Sequence, residues 1–269
     1  MHEAAVGHQC PECVAEGRRS QRPARTAFGG SRVGRAGYAT RALVGINVVV
    51  FVISAISGGL RSLGGSGGWL GLLGDQTPVT RWGEVLGYAS YGPGGEAHGV
   101  AAGEWYRLVT AMFLHYGVIH ILLNMVLLWQ LGRYLEDKLG PLRFTGLYLL
   151  AGLGGNVAVY VFNAPNQPAA GASTAIFGLV AAVFIVNRRL RLDITALIPL
   201  LVVNLLFTFT VRNISVAGHL GGLVTGAIVA FILAYAPLRH RTQIQAIGCG
   251  VVLALLVATA VIRTQVLLS

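Results

Sequence analysis

Along this chain, long apolar runs alternate with short polar or charged breaks. The first run covers 42–57 (Ala42 to Ser57), where Asn47 is the one strongly polar side chain. Later runs fall at about Tyr116 to Leu135, 142–162, Ala172 to Val186, 193–210, Val216 to Ala236 and 244–262. Each is close to the ~20 residues a helix needs to cross a bilayer core. The breaks carry helix-stopping chemistry: Gly140-Pro141, Asn163-Ala164-Pro165-Asn166-Gln167-Pro168, Asn187-Arg188-Arg189, and Pro237 with Arg239. The pattern predicts an all-α polytopic membrane protein with seven transmembrane helices. A membrane β-barrel would instead show alternating segments of ~10 residues.

Two stretches stand outside the pattern. Residues 1–40 form a polar, basic arm with no evident removable signal peptide, so the first span is expected to direct insertion. Residues 58–104 are too long for a plain connection. Their glycines, Trp69, Trp82, Tyr88, Tyr91 and the apolar run Trp69 to Leu73 predict short helices in the membrane interface.

Composition agrees. Of the residues, 54% are hydrophobic and 11% charged. Soluble domains carry about 25% charged residues, so a soluble catalytic domain is excluded. A net charge of +10 would by itself suggest nucleic acid. The positions of the charges say otherwise. Fifteen of the twenty Lys and Arg residues lie before span one or after spans two, four and six. Arg61, Arg81, Arg107, Arg212 and Arg263 fall on the other side. Cationic loops stay in the cytoplasm. The expectation is a multi-pass plasma-membrane protein, N-terminus cytoplasmic, long loop and C-terminus outside, with the lipid bilayer as partner and no nucleic acid. The seven arginines within 18–41 suit an anionic membrane surface.

Of the three cysteines, Cys249 lies alone in an apolar run. Cys10 and Cys13, in His8-Gln9-Cys10-Pro11-Glu12-Cys13, resemble half of a zinc knuckle. A closed zinc site takes four ligands, and only His8 or His2 is near enough to add one. Weak zinc binding and a plain reduced pair both stay open.

The chemistry centres on Gly171-Ala172-Ser173-Thr174-Ala175-Ile176-Phe177-Gly178. A serine beside glycine in a membrane helix is usually a packing residue; here its company matters. In the predicted topology, spans four and six both enter the membrane from outside, placing Ser173 and His219 at a similar shallow depth. Gly218, Gly222, Gly226 and Ala230 on span six, and Gly178 and Ala182 on span four, recur every four residues. Small residues at that spacing let helices approach closely in lipid. A serine hydroxyl is a weak nucleophile until a base takes its proton, and histidine suits that task. No acid stands nearby in sequence: Glu104 is in the loop and Asp193 belongs to the opposite face. A Ser173–His219 dyad is therefore expected. Gly171 lets the backbone turn sharply into the helix, and the Ser173 amide at a helix N-terminus faces a developing oxyanion. His120 and Asn124, four apart, share one helical face and are expected to aim an imidazole N–H and an amide at the same point. His115 is expected to support the loop by hydrogen bonding.

These residues resemble the rhomboid family of intramembrane serine proteases over about 40–236, six spans. Glu104-Trp105-Tyr106-Arg107 is similar to the family's Trp-Arg loop motif with one residue inserted. His120-Ile121-Leu122-Leu123-Asn124, Gly171-Ala172-Ser173 and Gly218-His219-Leu220-Gly221-Gly222 with Gly226 fit its other motifs, and Gly132-Arg133-Tyr134-Leu135-Glu136 its ending of span two. The resemblance implies a rhomboid-like six-helix bundle with a seventh C-terminal helix. It divides the chain into the arm (1–40), a six-span catalytic unit (41–236) and a linker with the seventh span (237–269). It also implies a serine endopeptidase that cuts transmembrane protein substrates and requires no cofactor. Ser173 is then the nucleophile and His219 the base. His120, Asn124 and the Ser173 amide bind the oxyanion, with Gly171, Phe177 and Gly222 in support. Many members have Tyr where Phe177 stands, so stacking on the histidine is kept and a hydroxyl is lost. The cysteine-containing arm is similar to that of some actinobacterial members. Substrates with Gly, Ala or Pro near the cut are expected, since a helical bond must unwind first. Span five, with Leu200, Leu201, Leu205, Leu206 and Phe207, is the expected lateral gate.

Two rivals remain at this stage. A catalytically weak relative that binds transmembrane clients is expected to lack Ser or His at the key positions, and both are present. A transporter with a broken-helix site predicts polar residues at mid-membrane and a repeat between halves. Here the polar cluster is shallow and no repeat is seen.

Overall fold

The structure, a computed structural model, describes residues 2–3, 7–20, 25–31, 37–64, 74–90, 95–195, 199, 202 and 215–269. In the arm, β1 (His2–Glu3) pairs antiparallel with β2 (His8–Gln9), and α1 (Pro11–Ser20) follows. The long loop holds α3 (Pro78–Gly83), a two-stranded ladder of β3 (Ala89–Ser90) and β4 (Ala97–His98), and α4 (Arg107–Thr110). Six helices among the described residues are long and apolar enough to span a membrane. They are α2 (Tyr38–Gly58), α5 (Val118–Leu139), α6 (Pro141–Phe162), α7 (Ser173–Leu190), α8 (Val216–Tyr235) and α9 (Arg241–Leu268). The predicted fifth span with its gate residues, and Trp69 to Leu73 and Tyr91 of the loop, lie outside the described residues apart from a few positions at the start of that span.

Several boundaries differ from the sequence expectation for local reasons. α5 starts at Val118 because Gly117 takes φ +84, and it runs on to Leu139, where Gly140 at φ +82 stops it. Its charged last turn stays helical because Glu136 points inward. That side chain is fully buried and accepts from Ala39 N–H (3.0 Å), Thr40 N–H (2.8 Å) and Thr40 Oγ1 (2.7 Å). It thereby satisfies donors at the start of α2 that have no intrahelical partner, and α2 begins at Tyr38 instead of Ala42.

α6 and α7 are the most enclosed spans, and α2 and α9 the least. α7 and α8 meet backbone to backbone. A Cβ added at Gly222 would stand 1.9 Å from the Thr174 carbonyl oxygen, and one at Gly226 would stand 2.2 Å from Gly178 Cα. α6 also closes tightly on α8: a Cβ at Gly155 would reach the Gly218 carbonyl at 2.6 Å, and one at Gly154 would meet the Thr225 side chain, with Oγ1 at 2.1 Å. α9 instead packs on α6 through side chains. Arg143 Nε donates to Gln245 Oε1 (2.7 Å), and the Tyr160 and Thr264 hydroxyls bond at 2.8 Å. The outer surfaces carry exposed apolar side chains such as Val49, Leu123, Ile228, Phe231 and Leu255. A face of that kind suits lipid.

Cys10 and Cys13 are exposed, free thiols. The Cys13 and Glu12 amides at the start of α1 hold the Cys10 thiol below its ordinary pKa. Among the described residues, no group of three His, Cys, Asp or Glu side chains is placed to hold a metal.

Candidate active site

Three helices begin at one end of the bundle, and each contributes a polar residue within its first turn. Ser173 opens α7, His219 is the fourth residue of α8, and His120 is the third of α5. The glycine seam described above sets the spacing of the first two. His219 Nε2 lies 2.8 Å from Ser173 Oγ. His219 is buried and Ser173 half-buried. Phe177, one turn below the serine, stacks on the His219 ring at 4.2 Å and 16° between planes. The imidazole is thus held in orientation by an aromatic face, the stacking that the family resemblance implied for Phe177. Its helix is itself capped: Ser215 Oγ accepts from Gly218 N–H at 3.1 Å.

Gly171 bounds the other side. Its N–H donates to the Ala111 carbonyl (2.9 Å), and its φ of +149 favours glycine. A Cβ there would stand 3.0 Å from His120 Nε2 and 3.2 Å from Ser173 Oγ. Both polar atoms therefore border one small volume that exists because residue 171 has no side chain. The Ser173 N–H, in the first turn of an 18-residue helix, has no acceptor within that helix.

Which His120 nitrogen carries the proton follows from its neighbour. The Tyr116 N–H donates to His120 Nδ1 at 3.2 Å. Nδ1 is then an acceptor, and the neutral ring carries its N–H on Nε2, the atom beside Gly171. Asn124 lies on the same face and is buried, but its amide differs from the expectation. Nδ2 donates back to the His120 carbonyl at 2.8 Å, which leaves only its second hydrogen for the site. His115 also differs. It is 2% exposed, neither ring nitrogen meets hydrogen-bond geometry with a partner among the described residues, and it packs edge-on against His120 at 5.1 Å. It supports the loop by packing, and burial, then the neighbouring His120, pushes its pKa well below the usual imidazole value.

The loop around the mouth is tied down by polar contacts that the motif spacing did not disclose. Buried Glu84 accepts from the Tyr116 hydroxyl (2.6 Å) and from Gln76 Nε2 (3.0 Å). Burial pushes the Glu84 carboxyl above its ordinary value against those bonds and the charge of Arg107. Arg107, 3% exposed, bonds Glu104 Oε2 (2.7 Å) and the carbonyls of Arg81 (2.7 Å) and Glu84 (3.0 Å). For Glu104, burial raises the carboxyl, and Arg107, the Gly99 amide and His98 together hold it below the usual range. The residue inserted between Trp105 and Arg107, Tyr106, stacks on Trp82 at 4.6 Å. Asn156 of α6 donates to the Leu108 carbonyl (2.9 Å) and seats this loop on the bundle. The sequence signal for Asn156 was there, a lone amide in an apolar span.

Comparison with known proteins points the same way. The family model described as Rhomboid domain matches residues 102–236, half of the chain, and covers α5 through α8. Rhomboid protease GluP of Bacillus subtilis (strain 168) is 42% identical over 139 residues, 50% of this chain and 27% of GluP. YdcA of the same organism is 37% identical over 139 residues, 50% of this chain and 70% of YdcA. Rhomboid-like protease 1 of Toxoplasma gondii is 32% identical over 142 residues, 49% of this chain and 48% of that protein. The chain thus spans less than a third of GluP and most of YdcA. With the family model matched across half its length and, among the described residues, six helices long and apolar enough to span a membrane, this chain is a multi-pass membrane protein of the rhomboid family.

Proposed function

We propose that this chain is an intramembrane serine endopeptidase working through a Ser173–His219 dyad. The single observation that carries the reading is the 2.8 Å contact between Ser173 Oγ and His219 Nε2, with Phe177 stacked on the imidazole. Two of the relatives are called rhomboid proteases or rhomboid-like proteases by name, which agrees with it.

The chemistry runs through residues already placed. His219 Nε2 takes the proton from Ser173 Oγ as the oxygen attacks a substrate carbonyl carbon. The carbonyl oxygen becomes an oxyanion in the volume over Gly171. There the Ser173 N–H, His120 Nε2–H and the remaining Asn124 hydrogen face it. Donors aimed at charge that develops only in the transition state are each worth about 100- to 1,000-fold in kcat. His219 returns the proton to the leaving amine, and water entering from the mouth releases the acyl group by the same steps in reverse. Every step uses side chains and backbone, so no cofactor is required. The catalytic unit is 41–236, and the substrate is the transmembrane segment of another membrane protein. The basic end of the bundle faces the cytoplasm and the mouth faces outside.

The test is cleavage of a single-span reporter by purified protein in detergent, comparing wild type with Ser173→Ala and His219→Ala. Labelling of Ser173 by a serine-reactive probe accompanies it. Cleavage and labelling by wild type alone support the proposal. Equal behaviour of all three folded proteins would overturn the dyad and favour a client-binding relative.

A further inference from the structure

At the end of the bundle opposite Ser173, three arginines from distant parts of the chain converge on Gly29. Arg25 Nη1 donates to the Gly29 carbonyl at 3.4 Å. A Cβ at Gly29 would stand 3.2 Å from Arg241 Cδ and 3.5 Å from Arg143 Nη2. The arrangement is built from buried parts. Phe28, 2% exposed, inserts into the core. Gln245, 3% exposed, accepts from Arg143 Nε and donates to the Phe28 carbonyl (3.3 Å) and the Leu233 carbonyl (2.7 Å). Arg241 Nη1 donates to the Ala27 carbonyl at 2.8 Å. A turn closed by Thr26 and Gly30 shapes the arm at this point.

The electrostatics are incomplete as they stand. Among the described residues, no carboxylate pairs with any of the three. Arg143 and Arg241 sit in the first turns of α6 and α9, and neither first turn contains an acidic residue. A helix N-terminus carries partial positive charge and favours an anion, so two cations there, beside a third, oppose the helix fields. Each guanidinium has five N–H donors, and the bonds found engage one or two on each. An anion with several oxygens answers all of this at once, and guanidinium forks match phosphate in particular. Leu142, beside Arg143 in sequence, and Leu238, three residues before Arg241, are 82% and 81% exposed and offer apolar surface at the same two helix starts.

We propose that Arg25, Arg143 and Arg241 bind the phosphate of an anionic phospholipid, fastening the arm to the starts of α6 and α9. The site is independent of the catalytic reading, since it lies at the other end of the molecule. The test uses the full chain in neutral detergent, with thermal shift and native mass spectrometry on adding phosphatidylglycerol, phosphatidylcholine or inorganic phosphate. Wild type is expected to retain phosphatidylglycerol over phosphatidylcholine. Affinity should fall about fivefold for each arginine replaced by glutamine. Arg61→Gln at the opposite end should leave it unchanged. Inorganic phosphate is expected to compete with the lipid at millimolar levels; stabilisation by phosphate with none by phosphatidylglycerol would assign the site to a free anion and overturn the lipid. Equal retention of both lipids, or unchanged binding by the triple variant, would overturn the site itself. Arg25→Gln alone keeps the test decisive if the triple variant fails to fold, because Arg25 is an exposed arm residue.

Discussion

The seams on the two sides of α6 are made differently. Toward α8, α6 and α7 present glycines: the backbones of α7 and α8 touch directly, and α6 and α8 leave room between them only for the short side chains of Thr225 and Ala158. Toward α9, long side chains span the gap, with Arg143 on Gln245 and Tyr160 on Thr264. The first kind of contact has no slack: an added methyl meets a carbonyl oxygen or a Cα, and a helix must move. The second kind adjusts by changing rotamers. The seam without slack is the one that sets the Ser173–His219 distance. The proposed nucleophile and base would need a separation held within about 0.5 Å, and backbone contact supplies it.

The largest effect should come from breaking the rigid seam. Gly222→Val puts a branched side chain where 1.9 Å separates a Cβ from the Thr174 carbonyl. Misplacing reactive groups by about 1 Å costs on the order of 100-fold. Reporter cleavage by the folded variant should fall at least that far, and the serine probe should lose its target in step. Gly171→Ala comes next. It strains φ +149 and fills the space beside His120 Nε2. The expected result is a drop in kcat of about 100-fold with KM little changed, the mark of an interaction made only in the transition state. A matching rise in KM would show that the space holds substrate and not oxyanion.

Tyr116→Phe is milder. It removes the bond to Glu84 that steadies the residue setting the His120 tautomer. A fall of about tenfold is expected, in line with the low end of the roughly 1.5–3 kcal/mol typical of a hydrogen bond to a charged group. In a His120→Ala background the same change should do nothing further. Additive losses would place Tyr116 in a separate role. The smallest effect belongs to the adjustable seam. Thr264→Ala should lower thermal stability by about 1 kcal/mol and leave cleavage of the reporter intact. A loss of activity there would mean that α9 is as rigidly coupled to the site as α8.

How far the sequence could be read follows the same division. The glycine spacing was legible because small residues recur every four positions within single segments, and Ser173 and His219 because each is a polar residue near the start of an apolar segment. That α7 and α8 touch was an inference from small residues, and α6 shows its limit. Gly154 and Gly155 are equally small, and their spacing alone did not reveal that α6 lies against α8 as well. The contacts of the loop were not legible. Glu84 and Tyr116 are 32 residues apart, and Glu136 and Thr40 are 96 apart. No periodicity links such pairs. His120 and Asn124 were correctly placed on one face, but spacing says nothing about which hydrogen bond an amide chooses, and Asn124 turned to the His120 carbonyl. The inserted Tyr106 looked like a departure from a motif until Trp82 was found beneath it.

The Glu136 cap bears on how the molecule is made. The amides at the start of α2 find their acceptor on a residue about a hundred positions later in the chain. A nascent chain inserts its first span long before that carboxylate has been synthesised. Until α5 arrives, the head of α2 must rely on water or lipid headgroups for those bonds. α2 is therefore finished only when the next spanning helix has joined it, and its mature position is a product of pairing with α5 and not of insertion alone.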